Sequence, residues 1–167
     1  PSSSVDKARL EKGIKRLESE GYRLVIGESC YSKHHYLSAP DEQRAEELMK
    51  FFKDSDIDAI ICARGGYGCI RILPLLDYQE IANARKLLMG YSDITALSWA
   101  ITHLSRIPTV NGSMVAADFG ETSTTKESIT QALQFLRSGR VDIEWLTSKK
   151  QSINIKGPLY VGTLSVL

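Results

Sequence analysis

Three observations in this sequence predict an α/β fold, a mostly parallel sheet with helices on both faces. Strand-like apolar runs and helix-like apolar stripes alternate through most of the 167 residues. The run 57–63 is nearly all apolar, as in a strand buried on both sides. Two such runs stop at glycine-containing turns, Arg64-Gly65-Gly66-Tyr67-Gly68 and Gly90-Tyr91-Ser92-Asp93, and a helical pattern follows each.

The elements follow in order. Ser3 and Asp6 have the spacing of a capping box, and Val5, Ala8, Ile14 and Leu17 then give a helical stripe that Gly21 closes. Residues 22–27 form a short β-rich run, and 28–40 a polar loop with His34 and His35, whose side chains should diverge. Asp41 is placed to cap a helix carrying Ala45, Leu48, Met49 and Phe52 on one face. After the strand 57–63 and its glycine turn, 70–76 and 78–84 read as short helical pieces divided by Asp77. Residues 87–89 then form a strand, 94–105 a helix, 108–110 a short strand and 111–120 a loop. Ile129, Leu133 and Leu136 mark an amphipathic helix over 125–138. Beyond Gly139 the pattern changes to short strands at 141–146 and 152–155 and an apolar, glycine-punctuated stretch at 157–167. Two units are expected: an α/β domain over 1–140, and a linker with the start of a second domain over 141–167.

Composition narrows the function classes. A hydrophobic content of 43% and a charged content of 25% are those of an ordinary globular domain. The net charge of +1, with basic and acidic residues interleaved, argues against a nucleic-acid partner. No run is long enough to span a bilayer, and the first residues lack the pattern of a secretory leader. Three cysteines without metal-type spacing fit reduced thiols and a cytoplasmic setting. Cys62 belongs to a buried strand, whereas Cys69 follows the glycine turn and is expected to be more exposed. No metal or cofactor is expected.

In open α/β sheets, ligands gather outside the carboxyl ends of the strands, where both glycine-containing turns fall. Ser92 has two readings. It is a helix N-cap, or it is a nucleophile held on a sharp strand-to-helix turn. The turn departs from the G-x-S-x-G elbow because Ile94 stands at the second glycine position. Three glycines in four residues exceed the need of one turn, so Gly65 and Gly66 can bring backbone N–H groups to an oxyanion, as can the N–H of Asp93. The loop lacks the patterns of a phosphate-binding loop. His103 lies too far along the 94–105 helix to reach Ser92.

The runs Ala63-Arg64-Gly65-Gly66-Tyr67-Gly68, Leu73-Pro74-Leu75-Leu76-Asp77-Tyr78 and Gly90-Tyr91-Ser92-Asp93-Ile94-Thr95-Ala96-Leu97 resemble the LD-carboxypeptidases, serine peptidases that include the microcin C immunity peptidases. Pro1-Ser2-Ser3, Asp41-Glu42-Gln43-Arg44-Ala45 and Gly157-Pro158-Leu159-Tyr160-Val161-Gly162-Thr163-Leu164-Ser165 are similar to further family blocks in the same order. The resemblance implies that Ser92 is the nucleophile and that the N–H groups of Asp93 and Gly66 meet the oxyanion, with Gly65 beside them. Met114 falls in the substrate-binding block, where Asn111-Gly112-Ser113-Met114 replaces the common H-G-P-M. Thr163 replaces the usual asparagine of G-G-N-L-S.

The resemblance further implies release of a terminal D-amino acid from murein tetrapeptides in cell-wall recycling, in the cytoplasm, with no cofactor and with a homodimer as the assembly. The family's first strand precedes the P-S-S block, and its catalytic histidine and glutamate follow the G-G-N-L-S block. Both are expected outside these 167 residues, and the chain alone is expected to be inactive. The alternatives are a peptidase of peptidyl-nucleotide antibiotics and a non-catalytic module that binds an anion at the glycine loop.

Overall fold

A computed structural model describes residues 1–140, 161–164 and 166. The strands expected at 141–146 and 152–155, the boundary at 140/141 and most of 157–167 lie outside the described residues.

Helix α1 (Lys7–Ser19) starts at Asp6, whose carboxylate accepts from the Arg9 N–H at 2.9 Å. Asp6 thus takes the cap expected of Ser3, which is engaged elsewhere. Leu10, Gly13, Ile14 and Leu17 form the buried face, and Ala8 points to solvent. Helix α2 (Asp41–Lys53) buries Arg44, Ala45, Leu48 and Phe52. Pro40 occupies its cap position, and Asp41 enters the first turn, where its carboxylate pairs with Arg44 and Arg71.

Strand β1 (Ala59–Ile61) leads through the glycine turn into α3 (Cys69–Ile72), a 3-10 turn (Leu73–Leu75) and α4 (Tyr78–Ala84), capped by Asp77. Strand β2 (Leu87–Met89) lies parallel to β1, pairing Ala59 with Leu87, Ile60 with Leu88 and Ile61 with Met89. Val110 extends the sheet as a single parallel bridge to Met89.

Successive strand residues face opposite sides. Ile60, Cys62 and Leu88 join a core with Leu48, Phe52, Ile72, Ile81 and Leu97. Ile61, Ala63 and Met89 join a second core with Leu10, Leu17, Phe119, Ile129 and Leu133. Helices therefore cover both faces, as the alternating pattern predicts. The α/β class is borne out.

Three stretches differ from expectation. Residues 22–27 alternate in exposure but form no ladder. A cleft of about 460 Å³ lies between them and β1, so the run has no strand to pair with. Within the expected loop, Val115–Phe119 makes a π-type turn. Asp118 accepts from the Met114 N–H at 2.8 Å, and Val115 packs on α1 where Gly13 lacks a β-carbon. The helix after β2 is α5 (Ile94–Ala100), continuing as a π-type turn over Ile101–Ser105. The last described helix, α6 (Lys126–Ser138), starts at Thr125 and ends at Gly139, as expected. No helix among the described residues is long and apolar enough to cross a membrane.

Candidate active site

The site is built where β2 runs into α5. Gly90 permits the turn because Ile94, fully buried, closes over it: a β-carbon on Gly90 would lie 3.0 Å from Ile94 Cγ2. Ile94 thus fills the position of the missing second elbow glycine. Tyr91 is steadied by its hydroxyl, which donates to Asp118 at 3.3 Å. Burial, and then the Asp118 charge, push the Tyr91 pKa upward, so the phenol stays protonated.

Ser92 has φ +61°, a left-handed conformation that is uncommon for a residue with a side chain. An N-cap residue would have extended φ, with its hydroxyl accepting a helix N–H. Ser92 does neither: Asp93 holds the cap position, and Ser92 Oγ has no hydrogen-bond partner among the described residues. The cap reading fails. A half-buried hydroxyl on a strained turn at a strand's carboxyl end is what a presented nucleophile requires.

The glycine turn after β1 comes to the same place. A β-carbon on Gly65 would lie 2.9 Å from Ser92 Cβ and 3.2 Å from Ser92 Oγ, so only glycine fits against the serine. Gly66 has φ +120°, and a β-carbon there would collide with the Ser3 hydroxyl. Among the described residues, the N–H groups of Gly65, Gly66 and Asp93 have no intramolecular acceptor. Gly65 thus abuts the free Ser92 hydroxyl, and Gly66 and Asp93, the next residues along the two turns, also carry N–H groups without an acceptor among the described residues.

The Asp93 side chain turns away from this opening. It is 7% exposed and accepts from the Ser2 hydroxyl and, at 3.0 Å, from the Cys69 N–H. Met114 does not line the opening with its side chain. It is buried in the α2–α5 core, and its N–H goes to Asp118. Cys69 is fully buried rather than exposed, and burial pushes its thiol well above the ordinary value. Cys62 is held up to about 11 by the same cause. Neither supplies a thiolate near neutral pH. The rings of His34 and His35 meet edge to face, 4.8 Å between centroids, instead of diverging, because His35 takes φ +55°.

Sequence reasoning missed the residues that hold this opening. Arg44, 1% exposed, donates to the carbonyls of Ala39, Pro1 and Gly68 and pairs with Asp41. An arginine within the apolar stripe of α2 was the available signal. Thr95, one turn beyond Ser92, accepts from the Thr163 N–H at 3.1 Å and brings residues 162–163 back to α5.

The profile of the LD-carboxypeptidase N-terminal domain matches residues 1–112. The chain belongs to the LD-carboxypeptidase family. It is 34% identical over 137 residues to a probable murein peptide carboxypeptidase of Bacillus subtilis, covering 80% of this chain and 43% of that one. It is 36% identical over 113 residues to the murein tetrapeptide carboxypeptidase of Pseudomonas aeruginosa, covering 67% and 36%. The solved structure of a microcin C7 self immunity protein in its wild-type apo state superposes with a TM-score of 0.75 at 29% identity, covering 81% and 42%. The chain therefore spans less than half the length of these relatives.

Proposed function

We propose that the chain is the nucleophile-bearing part of a serine LD-carboxypeptidase. Its substrate is the amide between an L-centre and a terminal D-amino acid in a murein-tetrapeptide-like peptide. The observation that carries this reading is Ser92 in a left-handed turn, with an unpartnered hydroxyl, against Gly65.

In this mechanism Ser92 Oγ attacks the scissile carbonyl, and the N–H groups of Asp93 and Gly66 receive the developing oxyanion. A serine hydroxyl is a weak nucleophile until a base removes its proton. Among the described residues no histidine or carboxylate bonds to Ser92 Oγ. The base in this reading is a histidine oriented by a glutamate, both outside these 167 residues. It protonates the leaving amine as the tetrahedral intermediate collapses to the acyl-enzyme, then takes a proton from the water that hydrolyses that ester and returns it to Ser92 Oγ. The isolated chain accordingly lacks turnover.

The test is release of the D-amino acid from a murein tetrapeptide by the complete protein. Ser92→Ala should lower kcat by several orders of magnitude, on the scale of triad-nucleophile removal, with KM little changed. Turnover by the isolated 167-residue chain, or near-normal turnover by Ser92→Ala, would overturn the reading. A peptidyl-nucleotide, assayed in parallel, should be cleaved more slowly.

A further inference from the structure

We propose that residues 1–4 are a splint for the oxyanion site, and that Ser2 and the Asp93 carboxylate are its positioning residues. The inference rests on the peptidase reading above. Each splint residue is fastened to the glycine turn or the start of α3. The Pro1 and Gly68 carbonyls share the buried Arg44 guanidinium. The Ser3 hydroxyl accepts from the Tyr67 N–H at 3.0 Å. The Ser4 carbonyl accepts from the Arg64 guanidinium at 2.8 Å. The splint is itself pinned from behind, Ser38 N–H to the Ser2 carbonyl and Ser4 N–H to the Tyr36 carbonyl.

Ser2 makes the link to the nucleophile turn. Its hydroxyl, on a residue 1% exposed, donates to Asp93 Oδ2, and the same oxygen accepts from the Cys69 N–H. Hydrogen bonds to a carboxylate are stronger than neutral ones, and burial strengthens them further.

The geometry gives this link a catalytic consequence. The proposed donors lie on two separate turns, Gly66 on one and Asp93 on the other. Ser92 holds a positive φ that persists only where surrounding structure over-determines it, while Gly66 and Gly68 reach theirs without strain and so leave their turn to be fixed by outside contacts. Ser3 occupies the space a Gly66 side chain would need, and Arg44 holds the Gly68 carbonyl. Through its side chain, Asp93 ties its own backbone N–H to the end of the glycine turn. The spacing between the two donors is therefore set by the Ser2–Asp93–Cys69 link, and an error there is felt where the oxyanion forms.

The experiment measures kcat, KM and thermal midpoint for the complete protein and its Ser2→Ala, Asp93→Ala and double variants, with Ser92→Ala as reference. Ser2→Ala should lower kcat about 10-fold and Asp93→Ala about 100-fold, with KM within about threefold, because displaced oxyanion donors act in the transition state. The double variant should match Asp93→Ala, since Ser2 acts through Asp93. Should Asp93→Ala fail to fold, Ser2→Ala decides alone. A folded Ser2→Ala protein with wild-type kcat and only a lowered midpoint overturns the splint while leaving the peptidase reading intact. An inactive wild type, or an active Ser92→Ala variant, overturns both.

Discussion

The two turns that meet at Ser92 are held in different ways. The backbone of the 90–93 turn is set first by its own neighbours in sequence, since Met89 and Ile94 anchor it in the core on either side and Gly90 lets Ile94 close over the bend. The side chains of Tyr91 and Asp93 then tie it to Asp118, Ser2 and Cys69. The 64–68 turn has three glycines, two with positive φ, and is held by Ser3, Ser4, Pro1 and Arg44, all distant in sequence. One turn takes its backbone geometry mainly from the strand and helix it joins, with Asp93 as its long-range tie. The other is assembled throughout by long-range contacts, so it is the turn that distant substitutions should disturb more.

The largest expected effect comes at the contact between the turns. Gly65→Ala places a methyl group 2.9 Å from Ser92 Cβ, which must shift the serine or the loop. In the complete protein kcat should fall about 100-fold, the scale of a misplacement near 1 Å, with the fold retained. Unchanged kcat would mean that the two turns do not share a site.

Arg44→Met tests the long-range support alone. It leaves the Pro1, Ala39 and Gly68 carbonyls without their donor, and chemical denaturation should show a loss of about 3 kcal/mol. Hydrogen exchange should quicken at the amides of Cys69 and Tyr67 while those of α5 keep their relative protection. Equal loosening at both turns would erase the contrast.

This contrast also explains what the sequence made legible. Helices α1, α2 and α6 and strand β2 were readable because apolar period is local, and so was the placing of two glycine-containing turns at strand ends. The run 22–27 was not, since a β pattern becomes a strand only when another strand pairs with it. The cap at Asp6 was missed because Ser3, correctly spaced for the role, is claimed by Tyr67 across 64 residues. Ser92 has two readings in the sequence because cap and nucleophile share a local pattern; its φ and its unpartnered hydroxyl argue against the cap.

A smaller effect is expected at the far side of the 90–93 turn. Thr95→Val removes the acceptor of the Thr163 N–H and should cost about 1 kcal/mol by denaturation. The smallest concerns Asp41, whose hydrogen bond from Arg71, and then that from Arg44, holds its pKa below the usual carboxylate value. A carboxylate depressed on folding stabilises the fold above its unfolded pKa, and the gain disappears as pH falls through the folded one. The stability lead of wild type over Asp41→Asn should be constant above about pH 5 and shrink below about pH 4.

The central claim, that Ser92 is the nucleophile, is tested most directly by trapping. The complete protein, in a preparation shown to release the D-amino acid, is treated with a phosphonate analogue of the scissile bond and mapped by peptide mass spectrometry. A single adduct on Ser92, lost in Ser92→Ala, is the predicted result. An adduct on another residue, or none while that preparation still turns over substrate, would contradict it.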